Sequence, residues 1–345
     1  MDYFGWQLSN NMLLEDVGHL KALNFNLKDG FEPNKDNWTK LFSKLKWIIE
    51  KSGLRDVTSK DFGYCLHFAP GIPRLLRGIS MTEPFKESVR ENFTNGDFQL
   101  GMHSTHGDNE IILKKQFSQV LENDLKYAQE FNVKALVEHA ALGSNNQTTK
   151  MVELLTKPKI TNLMEEHDVI ICWENKQAFR KTWRYYSSLK EMVIFLNKLR
   201  QQLSELGKTN LIQRHKFCLD VGHLLTWYHQ SKDKEMVEAE IKKYLPLFGK
   251  ETKVFHIHAN DGTKDSHITP FSLEFFDHKS RKEIDEAVFI KYSKLVLRWL
   301  KICYNTDSTK ERHFILEAGT KPYSIDQYLD FAKEFKSYIY SDLTD

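Results

Sequence analysis

The sequence is short of several things, and each shortage excludes something. Only four of its 345 residues are cysteine (Cys65, Cys172, Cys218 and Cys303), widely spaced and with no CxxC pair, so neither a disulfide framework nor a cysteine-rich zinc module is expected. No apolar run reaches the roughly 18 residues that span a bilayer. The opening MDYFGWQLSNN has no basic stretch followed by an apolar one, which argues against export. With 16 glycines and 8 prolines there is no fibrous or low-complexity tract. Neither GxGxxG nor a GxxxxGKS/T loop is present, which speaks against an open dinucleotide- or nucleotide-binding sheet. Excess charge is lacking too: 49 Lys and Arg against 47 Asp and Glu leave +2, and no net field draws the chain to nucleic acid or membrane. A soluble, cytoplasmic, disulfide-free globule is expected, with no membrane partner and an oligomeric state the sequence leaves open.

What is present is a rhythm. Short runs rich in β-branched and aromatic residues fall at 3–8, 62–68, 98–103, 133–139, 169–174, 216–220, 253–258 and 313–317. Between them lie stretches with apolar residues at three- and four-residue spacing, at 37–51, 115–131, 188–206, 234–248, 287–303 and 325–338, with Asn37 and Ser188 as N-caps. Eight strands alternating with helices predict an α/β protein closed as a (β/α)8 TIM barrel. A single domain over 1–345 is expected, with the polar strand ends between 65 and 320 and a C-terminal helix in 321–345.

Six consecutive strands end on a histidine or a carboxylate: His103, His139, Glu174, Asp220, His258 and Glu317. Taken singly, each would be a strand cap or a satisfied core histidine. In a parallel barrel, however, all six converge on the rim where barrel active sites lie. Such a mixture of imidazoles and carboxylates suits a divalent cation: Mn, Zn, Mg or Co. Two further spacings add to it, Asp220-Val-Gly-His223 and Asp265-Ser-His267, both expected in loops over the same rim. His67, His106 and His256 read as supporting neighbours, not ligands. After the fifth strand, Phe179 to Tyr186 interleaves aromatic and basic residues. Arg180, Trp183 and Arg184 there are candidates for holding a sugar phosphate or a nucleic-acid backbone, with Arg74 and Arg77 after the second strand.

The words CLDVGH, ICWENK, HIHANDGTKDSH and FILEAG resemble the strand ends of the xylose-isomerase-like TIM barrels. That superfamily holds sugar phosphate isomerases and epimerases together with endonuclease IV. In the isomerase branch the resemblance implies that Glu174, Asp220, His258 and Glu317 hold one metal ion while His223 contacts substrate. In the nuclease branch it implies three zinc ions, with His103, His139, His223, Asp265 and His267 added. The sequence departs from the nuclease pattern where His139-Ala-Ala replaces His-Pro-Gly, and from both branches in the Ile-Thr-Pro-Phe-Ser that follows His267.

The expected activity is a metal-dependent isomerase or epimerase acting on a carbohydrate or its phosphate, with Glu174 and Glu317 as catalytic carboxylates passing a proton through an enediolate. The alternative is an abasic-site DNA phosphodiesterase, the one reading that brings in nucleic acid. A third is a barrel that binds metal or sugar without converting it.

Overall fold

The computed structural model describes residues 2–8, 35, 39, 42–43, 62–68, 83–93, 98–104, 117–140, 142, 145–178, 188–260, 262, 286–306, 311–317, 333–339 and 341. Eight parallel strands run in chain order: β1 (Asp2–Leu8), β2 (Phe62–Phe68), β3 (Phe98–His103), β4 (Ala135–His139), β5 (Ile170–Glu174), β6 (His215–Asp220), β7 (Thr252–Ile257) and β8 (His313–Leu316). Each pairs with the next, and β1 pairs with β8 through Tyr3↔His313 to Trp6↔Leu316, so the strands form a ring. All eight predicted runs are strands, with ends shifted by at most two residues. His258 and Glu317 stand just past the strands they were expected to end.

Among the described residues the helices are α1 (Glu83–Phe93), α2 (Phe117–Glu130), α3 (Asn145–Leu155), α4 (Pro158–Glu166), α5 (Leu189–Glu205), α6 (Thr209–Ile212), α7 (Val221–Gln230), α8 (Lys234–Glu251) and α9 (Glu286–Asn305), and residues 333–339, overlapping the predicted 325–338 stretch, are helical too. Every connection from β2 to β8 therefore contains a helix. The predicted stretches at 115–131, 188–206, 234–248 and 287–303 correspond to α2, α5, α8 and α9. Most of 37–51 lies outside the described residues, as do the Asn37 cap, Arg74, Arg77 and His106.

Helix α5 shows why such a segment is helical. Ser188 Oγ accepts the Glu191 N–H at 3.2 Å while the Glu191 carboxylate accepts the Ser188 N–H, which satisfies two otherwise unpaired donors. Leu189, Met192, Phe195, Leu196, Leu199 and Leu203 form its buried stripe.

Strand residues alternate between two cores, the period-2 consequence of the pleat. On β5, Ile171 and Trp173 point outward into the large cluster shared with the helices, whereas Cys172 joins Cys65, Ala135, Val137, Cys218, Val254 and Ile315 inside the ring. Because both strand faces are covered, the strands read in sequence as near-continuous apolar runs. All four cysteines are buried and unbonded to one another, the thiols behaving as small hydrophobes. Among the described residues no helix is long and apolar enough to cross a membrane.

Candidate metal centre

Continuing each strand's alternation upward from the apolar interior leads to the polar residues. Glu174 follows Cys172, Asp220 follows Cys218, and Glu317 follows Ile315 on the inward face, at the carboxyl end of the ring. Glu174 lies among four imidazoles from four elements. Its Oε2 is 2.6 Å from His139 Nε2 and 3.2 Å from His103 Nε2; its Oε1 is 3.0 Å from His256 Nδ1 and 3.6 Å from His223 Nδ1. His258 Nε2 stands 2.9 Å from the Asp220 carboxylate and 4.0 Å from Glu317 Oε2. His256 Nδ1 reaches Glu317 Oε2 at 3.5 Å.

The structure thus gathers His103, His139, Glu174, Asp220, His223, His258 and Glu317 at one end of the ring. Their donor atoms form overlapping sets: His103, Glu174 and His256; Asp220, His223 and His258; and Glu174, Asp220, His256 and Glu317, each set lying within 4.8 Å. His256, not His258, supplies the imidazole of the four-residue set. Asp265, His267, Arg180, Trp183 and Arg184 lie outside the described residues.

His223 was expected in a loop, and this is corrected: it sits in the first turn of α7. The Asp220 side chain accepts the His223 N–H at 2.7 Å and so caps that helix, which lets the chain turn straight from β6 into a helix with no intervening loop. Gly222 completes the turn, since a Cβ there would fall 2.0 Å from the His258 ring.

Two residues to which the sequence reading gave no role support the constellation. The Asn175 side chain accepts the Asp220 N–H and donates to the Asp220 carbonyl, both at 2.9 Å, fastening the end of β6 to that of β5. Lys176 is buried and near enough to His139 for its charge to act on that imidazole. His256 did carry a signal, its two-residue spacing from His258, which puts both on the inward face.

The electrostatics are those of a charged cage. Burial alone would raise the pKa of Glu174, but the neighbouring His139 and His256 imidazoles hold it well below the usual carboxylate range. Asp220 is likewise held low against burial by His223 and His258. Burial works against a charge on His256, yet Glu317 and Glu174 raise its pKa to about 9. Burial and then Lys176 push His139 down to about 3, so its contact with Glu174 is donation from a neutral ring.

The donor set fits a divalent cation. His103 Nδ1 donates to the Ser104 carbonyl and His223 Nδ1 to the Asn175 carbonyl, both at 2.7 Å. In a neutral ring this fixes the tautomer and leaves Nε2 as the lone-pair nitrogen, the arrangement of a metal-ligating histidine. Three buried carboxylates within reach of one another also need positive charge among them.

No protein-family model matches the chain. No curated protein matches it significantly. Solved structures do match in fold. A D-tagatose 3-epimerase-like protein superposes with a TM-score of 0.56 at 11% identity, covering 98% of each chain. Endonuclease IV from Thermus thermophilus gives 0.52 at 14% identity, covering 97% of this chain and 98% of its own. The IOLI protein with a bound zinc atom gives 0.53 at 12% identity, covering 100% of both. At such identities the likeness is one of fold alone: the chain shares its barrel architecture with an epimerase-like protein, an endonuclease IV and a zinc-bound IOLI protein.

Proposed function

We propose that the chain is a (β/α)8-barrel metalloenzyme that moves a proton on a carbohydrate or sugar phosphate, as an isomerase or epimerase working in the cytoplasm. The supporting observation is that Glu174, at the end of β5, and Glu317, after β8, reach one point from separate parts of the ring, 3.0 and 3.5 Å from the same His256 nitrogen. A divalent cation held among Glu174, Asp220, His258 and Glu317 would polarise a sugar carbonyl and acidify the adjacent C–H. Glu174, kept ionised by its imidazoles, is ready to accept that proton. Glu317 faces it and returns a proton to the other side of the sugar for epimerisation. One carboxylate working alone, between neighbouring carbons, gives aldose–ketose exchange. His223, whose Nδ1 is taken up by the Asn175 carbonyl, has Nε2 left for a substrate hydroxyl or a cation, and Lys176 adds a positive charge beside His139 for an anionic group.

One observation favours a second reading, abasic-site phosphodiester cleavage: His103 and His139 both meet Glu174 Oε2, donors that a one-cation sugar site does not require. The readings separate in heavy water. Metal-loaded protein incubated with a panel of aldoses, ketoses and their phosphates should place deuterium on the carbon beside the carbonyl, and Glu174→Gln should slow this by about 1,000-fold or more. Absence of exchange on every sugar, together with metal-dependent nicking of an abasic duplex that Glu174→Gln abolishes, would establish the nuclease instead.

A further inference from the structure

The two histidines of β7 and its end meet the carboxylates from different depths. His258 Nε2 and the His223 ring engage Asp220, at 2.9 and 3.4 Å, from the side where α7 begins. His256 enters two residues earlier on the same inward face, one layer further into the ring. Its Nδ1 is within hydrogen-bond reach of Glu174 Oε1 and also lies close to two further carboxylates. It stands 3.0 Å from Glu174 Oε1, 3.5 Å from Glu317 Oε2 and 4.0 Å from Asp220 Oδ2. Donors bound at about 2.0–2.2 Å around one ion lie roughly 3.0–3.5 Å from each other, so two of these three spacings already match and the third is slightly long. The ring is fully buried, and the Nε2 atom on its far side has no hydrogen-bond partner among the described residues.

We propose that the carboxylates serve two cation positions: an outer one on His258 and His223, and an inner one on His256, Glu174 and Glu317, with Asp220 shared between them. This rests on the metal reading above and assigns His256 as a ligand, where its sequence position suggested a supporting role. The nitrogen and oxygen donors at both positions suit zinc, cobalt or manganese.

The test is a titration of chelator-stripped protein with cobalt(II), followed by equilibrium dialysis and by the ligand-field absorption of the bound ion. The wild-type chain should take up a second equivalent that His256→Gln loses, while His258→Gln keeps the inner ion and alters the outer one. Retention of the same stoichiometry by His256→Gln, with affinities within about 3-fold of wild type and an unchanged spectrum, would make His256 a hydrogen-bonding neighbour of Glu174 and overturn the proposal, leaving the metalloenzyme reading intact. Failure of the wild-type chain to bind cobalt or zinc at all would overturn both. A crystal of the zinc-loaded wild type removes any dependence on the variant's folding. Anomalous scattering should place an ion about 2.0–2.1 Å from His256 Nδ1, and an ion at His258 alone refutes the inner position.

Discussion

At the scale of single residues, the centre depends on a few positions whose chemistry is not that of a ligand. Gly222 is one. The space a Cβ would need is filled by the His258 ring, whose Cε1 and Nδ1 would lie 2.0 and 2.3 Å away. Gly222→Ala should displace that imidazole, with a stability loss of about 1–3 kcal/mol from overpacking and a fall in zinc affinity of at least about tenfold. Calorimetric zinc titration and urea melts of the two proteins measure these effects; unchanged affinity would show that His258 can move without cost. Asn175 acts differently, using both ends of its amide on the Asp220 backbone. Most of the candidate ligands were legible in the sequence because each ends or directly follows a strand. Asn175 and Gly222 were not, because nothing in a local sequence tells which backbone group or ring a distant residue will meet.

At the scale of elements, charged side chains fasten helices to strands on the side away from the centre. Glu251, at the end of α8, accepts from Arg200 of α5 at 2.7 Å and from Lys216 of β6 at 2.9 Å. Burial would raise its pKa, but these two cations bring it down to about 2. A carboxylate whose folded pKa is depressed stabilises the fold fully above its unfolded value near 4.5 and ceases to do so as pH falls through about 2. Allowing for solvent screening, the contribution is roughly 1–2 kcal/mol. The difference in urea midpoint between wild type and Glu251→Gln should be widest near pH 6 and close progressively below pH 4.5. A gap that persists at low pH would assign the effect to packing. Arg312, just before β8, joins elements through backbone carbonyls: it donates to the Cys303 and Tyr304 carbonyls at the end of α9 and to the Gly249 carbonyl near the end of α8. Strand periodicity and the Ser188 cap gave these elements directly. Helices α1, α3, α4, α6 and α7 did not stand out, and α7 was hidden because its apolar stretch begins within a strand-end motif.

At the scale of the whole molecule, the candidate donors come from β3, β4, β5, β6, α7, the end of β7 and the end of β8. A cation bound there ties most of the ring together and is lost on unfolding. Occupancy at 100 times the dissociation constant adds about 2.7 kcal/mol. Stripping the metal should therefore lower the melting temperature by several degrees, restored by zinc and not by calcium, as scanning calorimetry with and without chelator would reveal. Identical melts would show that the donors hold no ion in the folded chain. The ring itself was legible from the count of eight apolar runs and the direction that βα units impose. The depth of each histidine along its strand was not, since depth depends on register between neighbours, such as Asp220 beside His256 across β6 and β7.

That β1 bonds to β8 as well as to β2 has an effect beyond the centre. Each of the eight described strands is paired on both flanks, so among the described residues the sheet presents no open border onto which a stray strand from a second copy could add. Strand addition to these eight strands would first have to break the ring.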